Sequence, residues 1–180
     1  SLVETYGDGN NADPLIRSMV CNNIRESGAV ILADYRRDRG LLKALVETPE
    51  EVIADIKASG LRGRGGAGFL TGLKWELTRQ SQGAEKFVLC NADEGEPGTF
   101  KDRVLLTERA DLMIEGMTIA GYAIGAQSGI IYLRGEYAYL RHYLEDVLNR
   151  RRAANLLGNA ILGNKGFHFD IRIQMGAGAY

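Results

Sequence analysis

The sequence is short of several residue types, and each shortage excludes something. Two cysteines, Cys21 and Cys90, stand far apart in 180 residues. They make neither a CxxC pair nor a disulfide framework, so a reducing compartment fits, and this stretch alone holds no cysteine-ligated cluster or four-ligand zinc site. The only histidines, His142 and His168, leave little room for histidine-based catalysis. Neither sign of charge dominates: 22 Lys and Arg face 23 Asp and Glu, a net charge of -1. A phosphate-backbone partner would need a basic surplus on one face, so no nucleic-acid partner is expected. The longest apolar run, Leu112 to Ala126, is interrupted by Glu115 and is too short to cross a bilayer. No charged-then-apolar signal opens the chain, so membrane insertion and secretion are not expected and a cytoplasmic location is.

What the chain has in excess is glycine: 23 residues against 3 prolines. That is about twice the average glycine share, without the proline or repeats of a disordered chain. Six of the thirteen residues from Gly60 to Gly72 are glycine, a density that neither a helix nor a strand tolerates, so the spacing predicts a shaped loop. Just before it, Thr48-Pro49-Glu50-Glu51 predicts a helix with a capping box, Gly60 being its stop. Asp13-Pro14 opens another helix, and Ala29 to Ala33 reads as a short strand.

Further on, Phe87 to Cys90 and Gly129 to Leu133 read as short buried strands. Leu112 to Ile124 reads as a buried helix, and Tyr137, Leu140, Leu144, Val147 and Leu148 stripe a second helix. Arg150 to Arg152 complement its carboxyl end. Phe167, Phe169, Ile171, Ile173 and Met175 alternate with polar residues, as in a half-buried strand whose polar face carries His168. Strand, helix, strand, helix, strand predicts an α/β fold, a Rossmann-like, mostly parallel sheet with flanking helices. Sites in such sheets lie beyond the carboxyl ends of the strands, where Asn91 to Gly98 and Gly176 onward fall. The chain stops within the loop Gly176 to Tyr180, which suggests a fragment truncated at its C-terminal end.

The two loops suggest complementary chemistry. Leu61 to Phe69 offers bare backbone N–H groups and two guanidinium groups, which suit a phosphate or pyrophosphate. Gly63, Gly65 and Gly68 satisfy GxGxxG, but a helix precedes them where a Rossmann fingerprint requires a strand. Asp93, Glu94 and Glu96 could bind a divalent metal, or accept hydrogen bonds from sugar hydroxyls and ring N–H groups. Phosphate recognition in one loop and hydroxyl recognition in the other describe a nucleotide-like cofactor. The alternative is a metal-dependent phosphohydrolase that uses the three carboxylates for its ion.

Gly60 to Phe69, Thr71 to Trp75, Asn91 to Thr99 and Lys101-Asp102-Arg103 together strongly resemble the NADH-binding flavoprotein family. Ile114 to Met117, Ala120 to Ile124, Arg134 to Tyr137 and Gly176 to Tyr180 match it too. Its members include the flavoprotein subunit of respiratory complex I and the diaphorase subunits of NAD-linked hydrogenases and formate dehydrogenases. The resemblance implies an FMN-binding domain over residues 48–180, incomplete at its end, after a helical segment over residues 1–47. It implies hydride transfer between NAD(H) and FMN, and electron relay to iron–sulfur clusters ligated beyond Tyr180 and in partner subunits.

Residue by residue, the resemblance assigns Gly63, Arg64, Gly65, Gly66 and Lys74 to the FMN phosphate and ribityl side. Asn91, Asp93 and Glu94 are assigned to the ribityl hydroxyls and isoalloxazine edge, with Gly178 and Tyr180 beside the flavin. Phe69 and Glu96 would face NAD(H), and Glu94 and Glu96 are the catalytic candidates. No metal ligand is implied. Two positions depart from the family pattern: Leu70 replaces proline, and Leu77 replaces an aromatic that stacks on the nucleotide in many members. Gly98 to Leu106 and Leu70 look more like a soluble NAD-reducing hydrogenase diaphorase than complex I or formate dehydrogenase.

Overall fold

A computed structural model describes residues 33–83 and 85–178. The helix expected after Asp13, Cys21, Tyr180 and all but the last residue of the run Ala29 to Ala33 lie outside the described residues.

Three short helices lead in: α1 (Arg39–Val46), α2 (Pro49–Ala58) and α3 (Thr71–Gln80). At α2 the predicted box is complete. Thr48 Oγ1 accepts from the Glu51 amide, and the Glu51 carboxylate accepts from the Thr48 amide at 2.7 Å. Helix α3 corrects one expectation. The Gly-rich loop ends at Leu70, and Gly72 lies in the first turn of α3. A Cβ there would come within 2.8 Å of the Lys57 Cα, so glycine lets α3 lie directly on α2.

The centre is a parallel sheet in the order β1 (Phe87–Ala92), β2 (Ser128–Leu133), β3 (Asp170–Met175). Cys90 pairs with Ile131, and Ile131 with Ile173. Between β1 and β2 run α4 (Lys101–Glu108) and α5 (Ala110–Ile124). A short 3-10 turn, Gly135–Leu140, and α6 (Arg141–Ala153) join β2 to β3. Strand β1 runs two residues past its expected end, so Asn91 and Ala92 extend the ladder. The helices cover one face, where Ile131, Leu133, Ile171, Ile114, Leu140 and Leu144 form the core. On the other face of β1, Phe87 and Leu89 are 52% and 63% exposed. Each fully buried aliphatic side chain contributes about 1.5–3 kcal/mol relative to exposure.

Helix α1 joins this core through Leu41, although its own amino end has no side-chain cap. The cap comes from Glu115, the one acid within the apolar run of α5. Its buried carboxylate accepts from the amides of Leu41 at 3.0 Å and Asp38 at 3.2 Å. The basic run Arg150 to Arg152 also does more than complement a helix end. Arg151 is 3% exposed, and its Nη2 donates to Asp38 at 2.7 Å. Arg152 pairs with Asp170 and donates to the Ile171 carbonyl. His168, on the polar side as expected, accepts from the Ala160 amide.

Candidate cofactor site

The Gly-rich loop is closed at its base and open above. An antiparallel bridge joins Arg62 to Leu70, with the Gly63 amide donating to the Phe69 carbonyl at 2.9 Å and the Thr71 amide to Leu61. Arg62 spends its guanidinium within the loop, donating to the Gly68 carbonyl at 3.1 Å. The amide N–H groups of residues 64–68 donate to nothing among the described residues, and neither do the Arg64 guanidinium and the Lys74 ammonium. Nothing lies within 4 Å of where side chains would start at Gly65 and Gly66. Lys74 sits in the first turn of α3, exposed, as are Arg64 and Phe69. Free donors on an exposed loop that leads into a helix start suit an oxyanion.

The acidic loop, residues 91–98, leaves the carboxyl end of β1. Here the sequence reading, three similar carboxylates, gives way to three different environments. Glu96 is exposed. Glu94 is 4% exposed and turned inward, where its carboxylate accepts from the amides of Asp102 at 2.7 Å and Arg103 at 3.3 Å and from the Tyr137 hydroxyl at 2.8 Å. The physical reason is helix α4, whose N-cap, Phe100, has no capping oxygen. Glu94 supplies it from eight residues upstream. Asp93 is held between these two. Its amide donates to the Asn91 side chain at 3.1 Å, while its Oδ1 is buried and without a hydrogen-bond partner among the described residues.

The exits of the other two strands meet this loop. Beyond β2 the Arg134 amide donates to the Ala92 carbonyl, extending the ladder, and its Nη1 donates to the Glu94 carbonyl. Arg134 also forms a two-pronged pair with Glu136. That pairing holds the Glu136 carboxyl below the usual carboxylate range. Burial first, and then the hydrogen bond to Glu94, push the Tyr137 hydroxyl well above the usual phenol range. Beyond β3, Gly176 passes so close to Asp93 that a Cβ would stand 3.3 Å from the Asp93 Oδ1. Asp93, Glu94, Arg134, Tyr137 and Gly176 therefore gather at the carboxyl ends of the strands, as the sheet topology predicts. Gly178 follows at the surface.

Arg134 and Tyr137 were not among the expected site residues. Their position directly after an apolar strand was the signal that could have found them. No hydrogen bond or ion pair joins the Gly-rich loop to the acidic loop among the described residues.

Chemically, the arrangement pairs an exposed group of cationic and amide donors with a buried, unpartnered carboxylate oxygen. A buried acceptor without a partner costs about 1–3 kcal/mol, and a ligand hydroxyl or ring N–H would remove that cost. This set fits the phosphate and polyhydroxyl portions of a flavin mononucleotide. It does not fit a metal cage: no group of three His, Cys, Asp or Glu side chains among the described residues is placed to hold an ion. Inward capture of Glu94 breaks up the expected trio and removes the geometric basis of the phosphohydrolase reading. A cavity of about 340 Å³ beneath β1 is lined mainly by Cys90, Leu105, Leu106 and Met113. Being apolar, it suits no part of such a ligand's phosphate or hydroxyls. Burial there pushes the Cys90 thiol up to about 11, so Cys90 packs as a neutral group.

A parallel α/β sheet with its polar groups gathered at the strand ends defines a cofactor-binding domain of Rossmann-like type. Comparison with known proteins specifies it further. Residues 56–180 match the Nuo51 FMN-binding domain, and the chain belongs to that family. It is 57% identical over 166 residues to the NAD-reducing hydrogenase HoxS subunit alpha of Cupriavidus necator, covering 92% of this chain and 28% of that one. It is 48% identical over 143 residues to an NADH-quinone oxidoreductase component of Rhizobium meliloti, covering 79% and 34%. Among solved structures, an NAD+-reducing [NiFe]-hydrogenase in the H2-reduced state superposes with a TM-score of 0.70 at 41% identity, covering 81% of this chain and 24% of that one. The chain thus spans about a quarter to a third of the length of these relatives. No helix among the described residues is long and apolar enough to cross a membrane.

Proposed function

We propose that residues 48–180 form the FMN-holding part of a diaphorase that transfers a hydride between NAD(H) and FMN, most like the diaphorase of a soluble, cytoplasmic NAD-reducing hydrogenase. The observation that carries this reading is the unpartnered Asp93 oxygen at the strand ends, in a chain whose Gly-rich loop leaves the N–H groups of residues 64–68 unclaimed. FMN, when bound, takes up or gives back the hydride of NAD(H) and passes electrons on one at a time.

The chain's own residues do the holding. Arg64, Lys74 and the amides at Gly65 and Gly66 counter the phosphate dianion, with Gly63, whose own amide closes the loop on the Phe69 carbonyl, alongside. Asn91 and Asp93 accept from ribityl hydroxyls and the ring edge, with Gly178 and Tyr180 beside the ring. Phe69 and Glu96, both exposed, face the nicotinamide nucleotide, by stacking and by accepting from its ribose or amide. Glu94 enters the site through the loop it anchors. Leu77 is half exposed and offers an apolar surface without aromatic stacking. The iron–sulfur clusters belong to the remainder of the protein and to partner subunits.

The test is the visible spectrum of the full-length protein reconstituted with FMN, before and after anaerobic NADH. Bleaching of the flavin band, lost in Lys74→Ala, is the expected result. Absence of a flavin band in folded, monodisperse protein overturns the reading.

A further inference from the structure

We propose that Arg134 and Tyr137 are positioning residues that fix Asp93 for the flavin, an inference that builds on the FMN reading above. The residues on either side of Asp93 are both held by Arg134. The Ala92 carbonyl accepts from the Arg134 amide at 3.0 Å, and the Glu94 carbonyl accepts from the Arg134 guanidinium. One residue at the end of β2 therefore grips the backbone immediately before and immediately after Asp93.

Tyr137, one turn further along, closes the grip. Its hydroxyl donates to Glu94 Oε1 at 2.8 Å, and the Arg134 guanidinium stands 5.7 Å from the centre of its ring. The Glu94 carboxylate is in turn tied to the first amides of α4. With positions 92 and 94 held from one strand and one helix, the backbone that carries the Asp93 side chain is fixed at both ends. The Asp93 Oδ1 stays inside, against Gly176, with no partner of its own among the described residues. A carboxylate oxygen left unpaired in the free protein is not stable by itself, since solvation would draw it outward. The clamp holds it in place, and ligand hydroxyls receive an acceptor already oriented. Arg134 and Tyr137 thus act on the cofactor only through Asp93.

The test is a double-mutant cycle on the full-length protein, stripped of flavin and titrated with FMN by fluorescence quenching. Tyr137→Phe keeps the buried ring and removes only the hydroxyl, and it is expected to raise the FMN Kd about tenfold. Asp93→Asn raises it as well. The two substitutions together are expected to be no worse than Asp93→Asn alone, because the clamp has nothing left to orient. Thr48→Ala, a destabilised control far from the clamp, leaves the FMN Kd unchanged. Additive effects of Tyr137→Phe and Asp93→Asn, or an unchanged Kd in Tyr137→Phe, overturn the proposal. Should Tyr137→Phe fail to fold, Arg134→Lys, which keeps the charge and loses the planar fork, enters the same cycle with the same criterion. Wild-type protein that binds no FMN overturns the FMN reading and this proposal together. Wild-type binding with an additive cycle overturns only the clamp.

Discussion

In the Gly-rich loop the N–H groups of residues 64–68 are unclaimed, whereas in the acidic loop Glu94 has both carboxylate oxygens and its carbonyl engaged. The difference follows from where each loop lies. Residues 61–67 are exposed, so water satisfies their donors until an anion replaces it, and readiness costs almost nothing. The acidic loop passes over the end of the sheet, where a free carboxylate would be expensive, so the fold satisfies Glu94 and concentrates the unmet need on one atom of Asp93. A site can therefore be readied by leaving groups open to water, or by pinning every group but one.

The sharpest way to break this contrast is Glu94→Ala. It strands the Tyr137 hydroxyl and removes the cap of α4, so the protein is expected to lose about 3 kcal/mol of stability, read from chemical denaturation. Arg64→Ala is the opposite case. The Tm stays within about 1 °C of wild type, because an exposed side chain without a partner contributes little to folding. The FMN Kd nevertheless rises about tenfold, and the loss is largest at low salt. Equal effects of the two substitutions on Tm would erase the distinction between the loops.

Cys90 gives a third and gentler test, of the ground beneath the acidic loop. With its thiol pushed up to about 11 from an ordinary 9.0, it is expected to react with iodoacetamide at pH 8 about 100-fold more slowly than a free thiol of ordinary acidity. The unfolded thiol ionises near pH 9 while the folded one keeps its proton, so stability present below pH 9 is lost as the pH rises toward 11. Rapid labelling at pH 8 would show that water reaches the end of β1.

How much of this was legible depended on whether the causes were local. Thr48, Pro49 and Glu51 meet within one turn, so α2 and its cap could be read from spacing alone. Residues 170–175 alternate with the period of the pleat, and β3 followed. The Gly-rich loop announced itself by density, although Gly72 proved to belong to a helix contact with Lys57 that no local pattern encodes. The remote caps were not legible. Glu115 caps α1 across 74 positions and Glu94 caps α4 across eight, and in the sequence each is simply an acid in a run of other residues. For the same reason the three carboxylates of the acidic loop looked alike before folding placed them differently. Arg134 and Tyr137 could have been read from the topology rule that pointed to Asn91 and Gly176.

The contact between Arg151 and Asp38 has a consequence for kinetics. It joins residues 113 positions apart, the last turn of α6 to the residue that starts α1. Such a pair closes only after the intervening strands and helices have come together, since loop-closure entropy penalises it until then. It therefore belongs to the end of folding and acts as a latch on the finished fold. Weakening it speeds the escape from the native state and leaves the rate of reaching that state almost unchanged.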